Sequence, residues 1–284
     1  MRLPDRMRAV DVLMPAADSD YAAQAADMVE DYRAAFAARG MTLAPRPWTA
    51  GPGDGAAALA LFVWGYHVES ARWTAVLENW PDAMPLFNPP TLLRWNMRKT
   101  YLAELEAMGV PIVPSWFGDA DATSVAAAFS RFDTDALVIK PQVSAGSYRT
   151  DRVRRGDPVV PLADAIIQPF LSAVGEEGEL SLLYIGGTFS HAVRKVAQGG
   201  DFRIQPQFGG ATTAITADPQ AHAVAARALA ALSHPPLYAR VDLIRLPDGH
   251  LALMELEVIE PDLYPDFGDD VPGKLADAVR EVIG

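Results

Sequence analysis

The sequence predicts a chain that is α/β in its first third and α+β thereafter. Three observations predict it. Short apolar runs alternate with Ala-rich segments up to residue 87, a Phe87-Asn88-Pro89-Pro90 cluster breaks that rhythm, and β signals dominate from Asp164 onward. Strands alternating with helices imply a parallel sheet, whereas runs of strands imply an α+β unit. At roughly 150 residues per domain, 284 residues suggest about two domains, enough to bury a core without disulfide or metal staples.

Arg8 to Met14 (RAVDVLM) is a short apolar run and reads as a buried strand. Asp18, Ser19 and Asp20 supply N-cap chemistry for a helix over Tyr21 to Ala38, which Gly40 ends. A second strand is expected near Met41 to Ala44, a breaker at Gly51 to Gly55 (GPGDG), and a third strand over Leu59 to Trp64. Past the Pro pair, the pattern predicts a helix over Thr91 to Met108, the segment VPIVPSW, a helix over Thr123 to Arg131 and a strand ALVIKP. The later β signals are AIIQPFL, ELSLLYIGGTFSHAVRKV, LYARVDLIRL and LALMELEVIEP. One helix, Gln220 to Leu232, interrupts them, and a short helix after Pro272 closes the chain. Pro247-Asp248-Gly249 between two alternating apolar runs marks a hairpin turn.

Composition narrows the function classes. Lys and Arg number 24 against 36 Asp and Glu, a net charge of −12. Such a chain lacks the electrostatic footprint for nucleic acid or an anionic membrane, so neither is expected as a partner. Cys is absent, which excludes disulfides, thiolate zinc sites and a Cys nucleophile. The longest apolar run, Ala56 to Tyr66, is eleven residues, well short of the ~20 that cross a bilayer. With no apolar core of a signal peptide near Met7, a cytoplasmic protein is expected. Gly268-x4-Gly273-Lys274 imitates a phosphate-binding P-loop, but Leu275 stands where Ser or Thr belongs and Asp269 and Asp270 would repel phosphate.

The informative cluster is acidic. Glu255 and Glu257 alternate onto one face of the strand MELEV, and the hairpin lets Asp242 of RVDLIRL approach them. Three carboxylates on an otherwise apolar sheet need compensation, which magnesium supplies through hard oxygen ligands. A hairpin whose acids face water is the bland alternative. A second cluster is cationic. Lys140 ends the apolar strand ALVIK, and the small residues Ser144, Ala145, Gly146 and Ser147 after it permit close backbone approach to phosphate. Lys99 is placed two turns into its helix, Arg240 shares a face with Asp242 at i−2, and Lys195 and Arg203 flank the turn QGGD. Cations and carboxylates in one cleft suit a nucleotide triphosphate with its metal. Ile166 to Leu171 is an apolar strand stopped by Pro169, and such a segment can offer backbone groups to an adenine edge.

These pieces fall in a fixed order: FNPPTLLRWNMRKTYLAELEAMGVPIVP, VIKPQVSAGS, IIQPFL, GELSLLYIGGTFSHAVRKVAQGGDFRIQPQFGG, YARVDLIR and MELEVIEP. That order resembles the ATP-grasp superfamily, in its prokaryotic glutathione-synthetase-like part. WNMRKTYL, SHAVRKV, GDFRIQ and MELEVIEPDLY are most similar to the branch of the cycloserine-forming O-ureidoserine cyclo-ligase. The resemblance implies a Rossmann-like amino-terminal domain (1–90) followed by a two-lobed ATP-grasp fold, with a central lobe (91–170) and a carboxy-terminal lobe carrying the metal site (171–284). It implies an ATP- and Mg2+-dependent ligase that joins a carboxylate to an amine through an acylphosphate, with amino-acid-like small molecules as substrates. Ring closure within one substrate and nucleotide binding without turnover stand as alternatives, and a homodimer is compatible with the resemblance.

Residue by residue, the resemblance assigns the ATP phosphates to Lys99 and Lys140, with Ser144 to Ser147 as the loop over them. Gln168, Pro169, Phe170 and Leu171 become the adenine hinge. Glu179 is the acid near the ribose, with Glu176 as its rival. Lys195, Arg203 and Arg240 act on the reacting groups, and Asp242 and Glu255 bind metal. Where the superfamily has Glu-x-Asn, this chain has Glu255-Leu256-Glu257, so Glu257 is expected as an additional, acidic metal ligand. Asn88, Tyr66 and His191 are the expected substrate contacts.

Overall fold

The run RAVDVLM is flanked by a polar start and a Pro15 stop, and in the computed structural model, which describes residues 8–197 and 209–284, it is strand β1 (Arg8–Met14). Helix α1 (Ala22–Ala37), β2 (Met41–Pro47), β3 (Ala57–Leu59), α2 (Ser70–Glu78) and β4 (Leu86–Phe87) follow. The four strands form a parallel sheet in the order β2-β1-β3-β4. Pro45 and Pro47 sit in β2 without penalty because β2 is an edge strand and needs no donor on its outer side.

Two expectations for this part need correction. The third strand ends at Leu59, and the apolar stretch beyond it is a chain of tight turns, Val63 N–H to Ala60 O, Tyr66 N–H to Val63 O and Glu69 N–H to Tyr66 O. Its residues are apolar because they plug a core around Trp73 and Trp80, not because they pair in a sheet. Asp18 to Asp20 do not cap α1 by side chain. Ser19 Oγ only accepts from Tyr21 N–H at 3.3 Å, while the Ala22 N–H closes a turn onto Ser19 O.

Next come α3 (Pro90–Met97) and α4 (Tyr101–Ala107), where one continuous helix was expected. Arg98 is extended (φ −108, ψ 119), and the Lys99 N–H leaves the helical ladder to donate to Gln142 O at 2.8 Å. Lys99 therefore stands in the break between two helices. Strands β5 (Trp116–Ala120), β6 (Ala136–Pro141), β7 (Asp151–Arg154) and β8 (Leu162–Pro169) form an antiparallel sheet, β5-β8-β6-β7, backed by α5 (Ala122–Phe132). Asp121 caps α5 in a reciprocal box with Ser124.

The short α6 (Ala173–Glu176) leads into β9 (Glu179–Ile185), β10 (Thr188–Val196), β11 (Ala211–Ile215), α7 (Pro219–Ala230), β12 (Tyr238–Arg245), β13 (Leu251–Glu257) and α8 (Val271–Ile283). These strands form a second antiparallel sheet, β11-β10-β9-β12-β13. The hairpin turn holds as expected, with Leu246 N–H on His250 O. One face of this sheet packs on α7 and α4 through Leu182, Val241, Leu253 and Leu256. The other face packs on α8, which also covers α1, so the last helix joins the carboxy-terminal sheet to the amino-terminal one. Among the described residues no helix is long and apolar enough to cross a membrane.

Candidate active site

The two antiparallel sheets face each other across a cleft. Val138, Ile244 and Met254 supply apolar walls, and four cations and four carboxylates share the rest: Lys99, Lys140, Lys195, Arg240, Glu179, Asp242, Glu255 and Glu257. The register explains the carboxylate face. Asp242 on β12 lies directly opposite Glu255 on β13, and Arg240 opposite Glu257. On the other side Asp242 pairs with Ser181 of β9, whose hydroxyl donates to its carboxylate. Alternation along β9 adds Glu179 two residues earlier to the same face. Ser181 was missed from sequence; the spacing Glu179-x-Ser181 was the available signal.

Each carboxylate is held by a cation. Lys99 Nζ bridges Glu255 at 2.9 Å and donates to Ser144 O at 2.7 Å. Lys195 pairs with Glu179 and reaches Asp242 at 3.3 Å. The Arg240 guanidinium forks onto both Asp242 oxygens at 3.0 Å and also pairs with Glu257. Burial opposes ionisation of Asp242, yet Arg240 and Lys195 outweigh it and hold the carboxyl down to about 2. Burial likewise opposes Glu255, but Lys99 and Lys140 keep it below the ordinary carboxylate range. For Glu257 burial wins, helped by Asp242 and Glu255, and its carboxyl is pushed up to about 8. Lys140, with its ammonium away from water, has its pKa lowered by that burial.

The other expected residues fall in several places. Ser144, Gly146, Gln168, Pro169, Phe170 and Leu171 line the cleft. The Phe170 N–H already donates to Ala136 O at 2.9 Å, so the Pro does not free that backbone donor as the sequence suggested. Glu179 lines the cleft, whereas Glu176 is exposed on α6 and does not. Arg203 lies outside the described residues. Tyr66 is buried against Trp73, and His191 lies on β10 four residues before Lys195, outside the cleft lining, with Nδ1 beside Ser190 Oγ at 3.1 Å.

Asn88 is a clamp in this structure. It is 1% exposed; its amide donates to Tyr238 O and Val258 O at 2.9 and 2.8 Å, and its oxygen accepts from Leu237 N–H at 2.6 Å. Asn96 does the same for Leu256 O and Val258 N–H, and the Tyr101 hydroxyl bonds both backbone groups of Leu256. These side chains fix the end of β13, and so the two glutamates. Asn88→Ala leaves three buried backbone groups unpaired and is expected to cost about 3 kcal/mol of stability, read as a fall in the urea midpoint. An unchanged midpoint would refute the clamp.

The donor set fits a divalent cation by chemistry, since three hard carboxylates share one lining. As placed, each is engaged by an amine or guanidinium, and among the described residues no three acids or histidines are gathered to hold a metal. No family model matches the chain. Over 239 residues it is 31% identical to the cycloserine biosynthesis protein DcsG of Streptomyces lavendulae, covering 77% of this chain and 80% of that one. This chain belongs to the ATP-grasp superfamily, in its DcsG-like branch. Its fold is similar to the crystal structure of D-cycloserine synthetase DcsG, with a TM-score of 0.83, 27% identity and coverage of 97% and 100% of the two chains. The ATP-grasp ligase PsnB, complexed with minimal precursor, Mg and ADP, shares the fold at a TM-score of 0.68, 18% identity and 100% and 99% coverage. As an ATP-grasp ligase of this branch, the chain is an enzyme that forms carbon–nitrogen bonds.

Proposed function

We propose that the chain is an ATP- and Mg2+-dependent ligase that joins a carboxylate to an amine on small amino-acid-like substrates through an acylphosphate. The observation that carries this reading is the cleft itself, whose lining gathers four basic and four acidic side chains. A bound triphosphate would draw Lys99 away from Glu255, leaving that carboxylate, with Asp242 and Glu257 beside it, to a divalent cation. PsnB, bound to Mg and ADP, supports the pairing of nucleotide and metal on this fold. When bound, magnesium would neutralise charge on the transferring phosphoryl group.

The chain's own residues position and stabilise. Lys99 and Lys140 hold phosphate oxygens, the strand end at Gln168 to Leu171 takes the adenine, and Glu179 takes the ribose. Arg240, oriented by Asp242 and Glu257, faces the oxyanion that forms when the amine attacks the acylphosphate. Lys195 and Arg203 are the cations for the γ-phosphate and the acyl substrate. A Rossmann-like amino-terminal domain over 1–90 would close the substrate side against lobes over 91–170 and 171–284. A cytoplasmic setting, which supplies ATP and magnesium, suits this chemistry.

The extent of the DcsG likeness favours a second reading within the first, in which the attacking nitrogen belongs to the activated molecule and a ring closes. Phosphate release with Mg2+ and ATP over an amino-acid panel that includes O-ureidoserine tests both. A requirement for two substrates together identifies the intermolecular ligase, and turnover of one alone identifies the cyclo-ligase. Nucleotide binding with no phosphate release from any member refutes both.

A further inference from the structure

His67 is buried, at 7% exposure, and among the described residues neither of its ring nitrogens has a hydrogen-bond partner. Native proteins rarely leave a buried polar group unsatisfied without a functional reason. Trp73 and Gln142 each leave one atom unpaired. His67 leaves two, and it follows the turns after β3, outside the cleft lining but against the loop that forms part of it. Its ring is walled edge-on by Tyr21, Tyr66 and Tyr148 at centroid distances of 6.3, 6.0 and 5.1 Å. Tyr66 belongs to the core. Tyr148 belongs to the loop whose Ser144, Gly146, Ser147 and Thr150 line the cleft.

That third wall is partly open to solvent. Tyr148 is 41% exposed and sits between two non-glycine residues in the left-handed region, Ser147 at φ 63 and Arg149 at φ 50. Such backbone is held only while its surroundings impose it. Burial and the nearby Lys99 charge lower the imidazole pKa to about 4, so near neutral pH the ring offers one N–H donor and one lone pair. The two point out of opposite edges of the ring, so a bound group meets one of them, a carbonyl accepting from the N–H or an N–H donating to the lone pair.

We propose that His67 hydrogen-bonds a carbonyl or N–H group of the small substrate, and that Tyr148 occupies this place until the substrate displaces it. The proposal rests on the ligase reading above. His67→Phe fills the same space without polar atoms, and its melting temperature is expected to equal or exceed the parent's, since an unsatisfied buried group is removed. Its Mg–ATP thermal shift and its KM for ATP should stay within twofold of the parent's. The KM for O-ureidoserine, or for the panel member turned over best, should rise tenfold or more, and His67→Asn should recover part of that loss.

A fall of several degrees in His67→Phe would make the histidine a structural residue and overturn the proposal. A small-substrate KM within twofold of the parent's would also overturn it, whatever the melting temperature. If the unaltered protein shows neither a Mg–ATP shift nor phosphate release, the ligase reading itself fails, and this inference falls with it.

Discussion

Arg240→Ala is expected to slow ATP-dependent turnover by on the order of 100- to 1,000-fold, the ~3 kcal/mol typical of losing a donor aimed at a developing oxyanion. The same change should cost about 3–5 kcal/mol of stability, because it leaves buried carboxylates facing each other without their cation. Arg240 forks onto Asp242 and also holds Glu257, so one truncation takes away Glu257's cation and leaves Asp242 only Lys195 as a cation, at 3.3 Å. The stability loss has a direction in pH. Without the guanidinium the folded-state pKa of Asp242 moves up from its low value. The deficit is therefore largest above the ordinary carboxylate range and fades as pH falls and that acid protonates. Glu257, already protonated below about 8, adds to it only at alkaline pH. Arg240→Lys keeps the charge but not the planar fork, and should fall between parent and Ala variant. Phosphate release and urea unfolding near neutral and acidic pH measure these effects. A rate within twofold of the parent and an unmoved urea midpoint would remove Arg240 from both roles.

Glu257→Gln should make the protein more stable at alkaline pH and less responsive to magnesium. Burial lifts this carboxyl to about 8 in the folded chain, against about 4.3 for an unfolded glutamate. Between those values the native state holds a proton that the unfolded state has lost. The resulting stability is complete below the unfolded value and drains away as pH rises through the folded one. Gln carries no such titration, so the variant's melting temperature should vary less across that window. Its advantage at the alkaline end should be on the order of 1–3 kcal/mol. Under the proposed function a metal ion takes the proton's place. The parent should then release a proton on binding Mg–nucleotide near neutral pH, visible as a buffer-dependent binding enthalpy, while the variant releases none and needs more Mg2+. An identical magnesium titration of turnover in both proteins would exclude Glu257 as a ligand.

What could be read from the residues alone was whatever depends on short-range periodicity. Arg8 to Met14, Thr123 to Arg131, Gln220 to Leu232 and the PDGH hairpin appear close to where alternation, caps and turn chemistry put them. The facing of Asp242, Glu255, Glu257 and Arg240 was equally legible, because a strand's side chains alternate strictly and a hairpin sets its partners opposite. The order of motifs indicated the family before any coordinates. Tertiary contacts decided the rest. A helix pattern over Thr91 to Met108 could not show that Gln142 O would capture the Lys99 N–H and split it. The apolar stretch after Leu59 could not be told from a strand, since a plug of buried turns has the same composition. Asn88, expected as a substrate contact, and Asn96, given no role, could not be recognised as clamps until the end of β13 came within reach of their amides. That Lys99 neutralises Glu255 and Lys195 neutralises Glu179, and that His67 has no hydrogen-bond partner among the described residues, follow from side chains of separate elements meeting in one low-dielectric cleft or seam. Local sequence carries no record of those meetings, because their energies exist only once the sheets have closed on each other.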